Sequence, residues 1–168
     1  LIGVYSYDKY RTEKKREISE NFNAITIDYP HNSKDKTLQK LVEIINQKDP
    51  TYSPLSLYFI IDNKLISDDR EVNKLFDILI EKTSLDKEIK NLIVYKKALF
   101  NSDQASEIDL LDMLNPIINS ESVWKSHALY LLGEYFYSQD QKQKAREFFN
   151  KVISLENPNI DIKIESEK

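Results

Sequence analysis

Residues 122–155 read SVWKSHALYLLGEYFYSQDQKQKAREFFNKVISL. Apolar residues recur every three or four positions in both halves of this segment, which is the spacing of two amphipathic helices. Gly133 in the first half and Ala145 in the second are small enough to let two helices approach closely. Phe136 and Phe149 are placed to fill the space on either side of that contact. The segment therefore predicts an antiparallel helix pair with a close contact between Gly133 and the region of Ala145.

The same segment has the residue spacing of a tetratricopeptide repeat. In that repeat, a Leu-Gly pair and an aromatic residue on the first helix meet an Ala-x3-Phe pattern on the second. A shift of 35 residues, from Gly133 back to Ala98, places a second helix pair in the same frame. A third pair, over residues 57–79, fits only if its turn is shortened by two residues. The predicted packing residues of the two clear repeats are Ala98, Leu110, Leu114, Leu132, Gly133, Phe136, Ala145 and Phe149.

Helical periodicity extends over most of the chain. The clearest apolar face is formed by Val72, Leu75, Phe76, Leu79 and Ile80. Asp68, with Glu71 three residues later, is a predicted N-cap, and Ser53 before Pro54 predicts the start of another helix. The predicted helices cover residues 5–25, 35–48, 54–66, 69–82, 86–101, 106–119, 122–137 and 141–155.

Two segments depart from this periodicity. Residues 24–29 alternate apolar and polar side chains like a strand, but the chain offers no partner strand, so we predict irregular structure there. The tail carries Ile160, Ile162 and Ile164 in alternation, yet Asn157-Pro158 before them is equally consistent with the start of a further helix. The whole pattern predicts an all-α fold of antiparallel helical hairpins stacked as a tetratricopeptide-repeat-like solenoid.

Composition supports a helical fold and excludes several functions. Two Gly and five Pro among 168 residues are too few for the tight turns of an all-β domain. The 24 basic against 28 acidic side chains give a net charge of −4, without the basic excess that a nucleic-acid backbone requires. Nucleic acid is therefore not a predicted partner. The absence of Cys also excludes disulfides and thiolate chemistry.

The N-terminal sequence resembles the end of a membrane span. Residues 1–7 read LIGVYSY, with Tyr where a bilayer interface favours it, and charged residues follow from Asp8 onward. We therefore expect a membrane tether upstream of Leu1. Residues 1–33 would then comprise the end of the transmembrane helix and a membrane-proximal helix with its linker, and residues 34–168 the helical repeat domain.

The order of these segments resembles the tetratricopeptide-repeat-like family of YfgM-type proteins, ancillary subunits of the bacterial SecYEG translocon. Residues 1–5 are similar to the transmembrane end of that family, and residues 51–56 (TYSPLS) to the opening of its first clear repeat. Trp124, residues 132–134 (LGE) and residues 144–146 (KAR) are similar to its last repeat. The resemblance implies a single-span protein of the bacterial inner membrane whose periplasmic domain binds translocon subunits or periplasmic chaperones.

One charge cluster leaves an alternative open. Five basic side chains follow the predicted span: Lys9, Arg11, Lys14, Lys15 and Arg16. The positive-inside rule associates such clusters with the cytoplasmic side of a membrane. A cytoplasmic location is therefore the alternative to a periplasmic one. Independently of this cluster, the alternative function is a soluble scaffold or assembly factor of the bacterial envelope that binds a different protein partner.

The candidate binding residues come from the repeat frame. The inner helix faces of such solenoids line a groove for partners. Tyr rings suit such a surface because each combines a large rigid area with a hydroxyl group, although the same rings also pack well against neighbouring helices. The predicted groove residues are Tyr95, His127, Tyr130, Glu134 and Tyr137.

No catalytic constellation is visible in the sequence. His31 lies in a loop and His127 on a helix, with no second ligand at metal-binding spacing and no Gly-rich phosphate loop. Carboxylate pairs such as Asp109 and Asp112 occur where helix starts and solvated faces normally carry them. We therefore predict a protein that is not an enzyme, with no catalytic, cofactor-binding or metal-binding residue; an enzyme with an unrecognised site is the remaining alternative.

Overall fold

The chain is all-α, as predicted. A computed structural model describes the backbone of residues 2–168 and the side chains of residues 9–168. Over residues 2–168 it contains nine α-helices, one short 3₁₀ helix at Tyr29–His31 and no β-strand. The helices are α1 (Ile2–Asp28), α2 (Lys34–Asn46), α3 (Tyr52–Asp62), α4 (Asp69–Lys82), α5 (Lys87–Asn101), α6 (Glu107–Ile118), α7 (Lys125–Ser138), α8 (Lys142–Ile153) and α9 (Ile160–Ser166).

Helix α4 follows its sequence pattern closely. Val72, Phe76 and Leu79 are buried along one face, and Leu75 lies beside them with little exposure. A carboxylate oxygen of Asp68 accepts a hydrogen bond from the backbone N–H of Arg70 at 2.9 Å, so the predicted N-cap is confirmed. The side chain thereby satisfies one of the free donors that every helix start exposes.

The prediction of irregular structure at residues 24–29 is wrong, because α1 continues through Asp28. Ile18 and Ile25 lie two helical turns apart on one face, and both are buried. The Thr26 hydroxyl donates to the carbonyl of Phe22 at 3.1 Å, along the helix. Packing of this face overrides the β-like alternation, since a helix also buries residues seven apart.

The prediction that Ser53 caps α3 is also wrong. The helix begins at Tyr52, and Asp49 supplies the cap: its Oδ1 accepts from the N–H groups of Thr51 at 2.8 Å and Tyr52 at 2.7 Å. Ser53 is buried in the first turn and donates its hydroxyl to the carbonyl of Ile44 at 2.9 Å. A buried hydroxyl needs a partner, and the end of α2 provides one.

Residues 1–85 form the first of two compact units, and the predicted domain boundary at residue 34 falls inside it. Its side-chain core comes from α1, α2, α3 and α4 and includes Ile18, Ile25, Leu41, Ile44, Ile45, Leu57, Ile60, Val72, Phe76 and Leu79. Helix α1 is further held by the Tyr52 hydroxyl, which donates to Ser19 Oγ at 2.6 Å. None of the described helices is both long and apolar enough to cross a bilayer. The predicted transmembrane end at residues 1–5 lies outside the described side chains.

Residues 86–168 form the second unit, which contains α5 to α9. Seven of the eight predicted packing residues are buried in it, and the remaining one, Phe149, is half-buried. The short turn 139–141 folds α8 back against α7 as an antiparallel pair. Gly133 faces the Phe149 ring: a Cβ added at Gly133 would lie well inside van der Waals distance of the nearest ring carbons. The two helices therefore approach as closely as a glycine permits.

The tail adopts the helical alternative rather than the strand-like one. Asn159 caps α9, since its Oδ1 accepts from the N–H of Ile162 at 3.1 Å. The backbone N–H of Asn159 also donates to Ser126 Oγ on α7 at 3.0 Å. Ile162 is half-buried against the core of the second unit, whereas Ile160 and Ile164 are exposed.

The contact between Gly133 and Phe149 predicts a change of sign between two backgrounds. In the native chain, Gly133→Ala should lower the free energy of unfolding by about 1 kcal/mol. The overpacking cost of about 1 to 3 kcal/mol exceeds the gain of up to about 1 kcal/mol from replacing a helical Gly. In a Phe149→Ala background the ring is gone, so Gly133→Ala should stabilise the fold by up to about 1 kcal/mol. Urea unfolding of the four proteins measures both effects, and a destabilising Gly133→Ala in both backgrounds would contradict the contact.

Candidate functional site

The predicted binding face lies mainly on helix α7. His127, Tyr130, Glu134 and Tyr137 occur three or four residues apart, so they share one side of the helix. Exposure increases along that side: His127 and Tyr130 are half-buried, Glu134 is exposed, and Tyr137 is 63% exposed. The C-terminal half of α7 therefore presents the accessible part of the face.

The N-terminal half of the face is an aromatic cluster. The Tyr95 ring from α5 lies 6.2 Å from the Trp124 ring, centroid to centroid, with nearly parallel planes. The His127 ring lies 5.7 Å from Tyr95 and 5.1 Å from Trp124. The structure thus brings Tyr95 and His127 together, and their rings pack mainly against each other and Trp124.

The His127 imidazole occupies an unusual position for a polar ring. Its Nδ1 is buried without a hydrogen-bond partner. Burial lowers the pKa of His127, and the nearby Lys96 ammonium lowers it further. The charged form is therefore disfavoured, and the ring acts as a neutral aromatic between Tyr95 and Trp124.

Tyr130 connects the binding face to the core. Its ring lies 5.5 Å from the Phe149 ring, the same ring that contacts Gly133. Burial raises the pKa of the Tyr130 phenol, and the negative charge of nearby Glu134 raises it further. One side of Tyr130 is therefore used in packing, and its hydroxyl is hydrogen-bonded to Glu134. Glu134 and Tyr137 are the exposed groups of the face.

Sequence reasoning missed the polar contacts that position this face. Glu88, in the first turn of α5, accepts through Oε2 from Ser122 Oγ at 2.8 Å and from the N–H of Val123 at 3.1 Å. Ser122 Oγ in turn accepts from the N–H of Trp124 at 3.2 Å. The carboxylate therefore fixes the turn from which α7, with Trp124 and His127, begins. Glu88 and Ser122 are 34 residues apart, which is the length of one repeat. That spacing was the signal in the sequence that could have predicted this contact.

A second bond fixes the other end of α7. The Tyr135 hydroxyl donates to the carbonyl of Ala105, in the turn before α6, at 3.1 Å. Lys144 on α8 forms an ion pair with Glu107 at the start of α6, at 2.8 Å. The Tyr135 bond holds the C-terminal half of α7 against the turn before α6, and the ion pair joins α8 to α6. Tyr137 therefore projects from a supported helix. Among the side chains of residues 9–168, no group of three or more His, Asp or Glu is arranged to hold a metal ion.

The fold and the α7 face together describe an all-α protein of helical hairpins whose exposed surface carries Glu134 and Tyr137. Comparison of the chain with protein-family models, with curated proteins and with solved structures finds no match.

The position of His127 predicts acid sensitivity. Because its pKa is lower in the folded chain than in the unfolded chain, the unfolded chain binds the proton more readily. Stability should then fall as the pH drops through the ordinary imidazole range. Thermal melting at about pH 7.5 and about pH 5 should show a smaller acid loss for His127→Gln than for the native chain.

The matched control is His31→Gln, which removes the only other imidazole, from an exposed site at the end of the 3₁₀ helix. This variant should retain the acid loss of the native chain. An equal acid loss in the native chain and in His127→Gln would show that His127 is not the group responsible.

Proposed function

We propose that this chain is a tetratricopeptide-repeat-like protein-interaction domain, tethered to the bacterial inner membrane and acting in the periplasm beside the Sec translocon and its chaperones. The observation that carries the repeat assignment is the contact of Gly133 with the Phe149 ring in the α7–α8 pair. In a tetratricopeptide repeat, the Leu-Gly position of the first helix meets the Ala-x3-Phe pattern of the second. Leu132, Ala145 and Phe136 are buried beside that contact, which supports the same assignment.

A recurring link between helix starts also supports a repeat. Glu88 at the start of α5 bonds to Ser122 before α7, a separation of 34 residues. Ser126 at the start of α7 bonds to Asn159 before α9, a separation of 33 residues. Helix α5 is therefore joined to the start of α7, and α7 to the start of α9, by hydrogen bonds at nearly the same period. Such nearest-neighbour contacts are how repeat proteins gain stability.

The proposed binding surface is the C-terminal half of α7. Tyr137 offers a ring and a hydroxyl in the solvent, and Glu134 adds a negative charge one turn away. The pairing suits a peptide segment with an apolar or aromatic side chain next to a Lys or Arg, because both contacts are then complementary. The tether, the periplasmic location and the translocon neighbourhood rest on the resemblance to the YfgM-type family, and they belong to this proposal.

The interaction surface is tested by a double substitution that spares the core. Glu134→Ala with Tyr137→Ala should leave the melting temperature nearly unchanged, since exposed positions usually contribute within about 0.5 kcal/mol. Binding of a peptide selected on the intact chain should weaken about thirtyfold, because loss of a central Tyr and its charged neighbour removes about 2 kcal/mol. Isothermal titration calorimetry measures the dissociation constants.

The control is Glu13→Ala with Tyr10→Ala, an exposed Glu–Tyr pair on α1 whose ring is 62% exposed. It should bind the peptide like the native chain. Equal loss in both double variants, or none in the Glu134/Tyr137 variant, would place the working surface elsewhere.

A photo-crosslinking residue at position 137, in cells that express the chain, tests the partner separately. Crosslinks to translocon subunits or periplasmic chaperones are expected. Crosslinks confined to other proteins would retain the interaction domain and overturn the translocon role.

A further inference from the structure

One face of α1 changes character along the helix. Ile25 and Ile18 are buried on this face, where α1 packs against α2 and α3. Continuing toward the N-terminus at helical spacing, the face carries Lys15, Lys14 and Arg11 in place of further apolar residues. Packing of the first unit therefore explains the apolar part of the face but not the basic part.

The basic part lines an open cleft of about 420 Å³ beside the α2–α3 turn. Ile18 forms part of its lining, and Lys48 of the turn adds a fourth basic side chain opposite α1. The one acidic lining residue, Asp49, is 8% exposed, and its Oδ1 is used to cap α3. The accessible charge in the cleft is therefore positive.

Acidic residues of α1 lie on the opposite side of the helix. Glu13, Glu17 and Glu20 line a second surface with Arg16, and Arg16 pairs with Glu20 at 3.6 Å. Lys14 lies at the border and lines both this surface and the cleft. Residues 9–16 as a whole carry five basic and one acidic side chain, although the chain has a net charge of −4. The positive charge is thus concentrated on one short segment, and three of its five basic side chains, Arg11, Lys14 and Lys15, line the cleft.

We propose that this cleft docks the first unit on an anionic phospholipid surface, with a headgroup phosphate between Lys14, Lys15 and Lys48. These three lysines are exposed, so water screens the attraction of each to a single free phosphate. A membrane surface presents many phosphates at once, and each basic side chain near it raises partitioning about fivefold. Exposed lysines around an open cleft therefore suit a charged surface better than one isolated anion. The docking site is part of the described chain and does not depend on the tether or on the partner-binding face.

The test is sedimentation of the intact chain with lipid vesicles. Vesicles of phosphatidylcholine containing about one third phosphatidylglycerol should bind the chain, and pure phosphatidylcholine vesicles should not. Binding should weaken strongly between about 0.05 M and about 0.3 M salt, because the Debye length shortens. The triple variant Lys14→Gln, Lys15→Gln and Lys48→Gln should lose about a hundredfold in partitioning.

A matched variant separates the cleft from total charge. Lys82→Gln, Lys87→Gln and Lys90→Gln remove the same number of exposed lysines outside the cleft and should bind like the native chain. Melting curves establish that both variants are folded. Equal loss in both variants would overturn the cleft as the site, as would binding to neutral vesicles.

Competition by free phosphate distinguishes a membrane surface from a soluble anion as the ligand of the cleft. Inorganic phosphate at matched ionic strength should compete no better than sulfate. Specific competition by phosphate would show that the cleft binds a soluble anion and would overturn the membrane proposal. A failed vesicle experiment leaves the Glu134/Tyr137 peptide experiment unaffected, so the two proposals fail independently.

Discussion

The second unit depends on the close approach of α7 and α8 at Gly133. A Cβ at this position would meet the Phe149 ring at a distance that no native contact tolerates, so the ring occupies the space of the missing side chain. Phe149 also supports Tyr130, whose ring packs against it. The candidate binding face is thus built on the same contact that closes the hairpin, because interior packing transmits the position of one ring to the next.

Hydrogen bonds between helix starts also constrain where each helix lies along its axis. Apolar contacts fix how closely helices approach, but they tolerate sliding along the helix axis. The Glu88–Ser122 bond joins the first turn of α5 to the segment before α7, and the Ser126–Asn159 bond joins the first turn of α7 to the N-cap of α9. Bonds to a carboxylate are stronger than bonds between neutral groups. The Glu88 contacts therefore add a directional constraint on the position of α7 to the one that packing supplies. The aromatic cluster around His127 begins directly after that anchored turn.

In the first unit, one face of α1 is apolar along its C-terminal part and basic along its N-terminal part. Ile18 and Ile25 anchor α1 to α2 and α3, and the same face continues as a row of basic side chains where the neighbouring helices end. A long helix can extend its face beyond its packing partners because its backbone hydrogen bonds are internal. The basic residues are therefore held in place by apolar contacts one or two turns away.

The sequence by itself determined the all-α class, the approximate helix boundaries and the pairing of Gly133 with its second helix, because each depends on local periodicity or residue size. Tertiary structure decided the rest. Ser53 reads as a cap but bonds to Ile44, and the strand-like alternation at residues 24–29 is overridden by burial of Ile25. Tyr130 and Tyr137 are equivalent in the repeat frame, yet only Tyr137 is exposed. Whether a side chain is covered depends on residues distant in sequence, and local spacing carries no information about them.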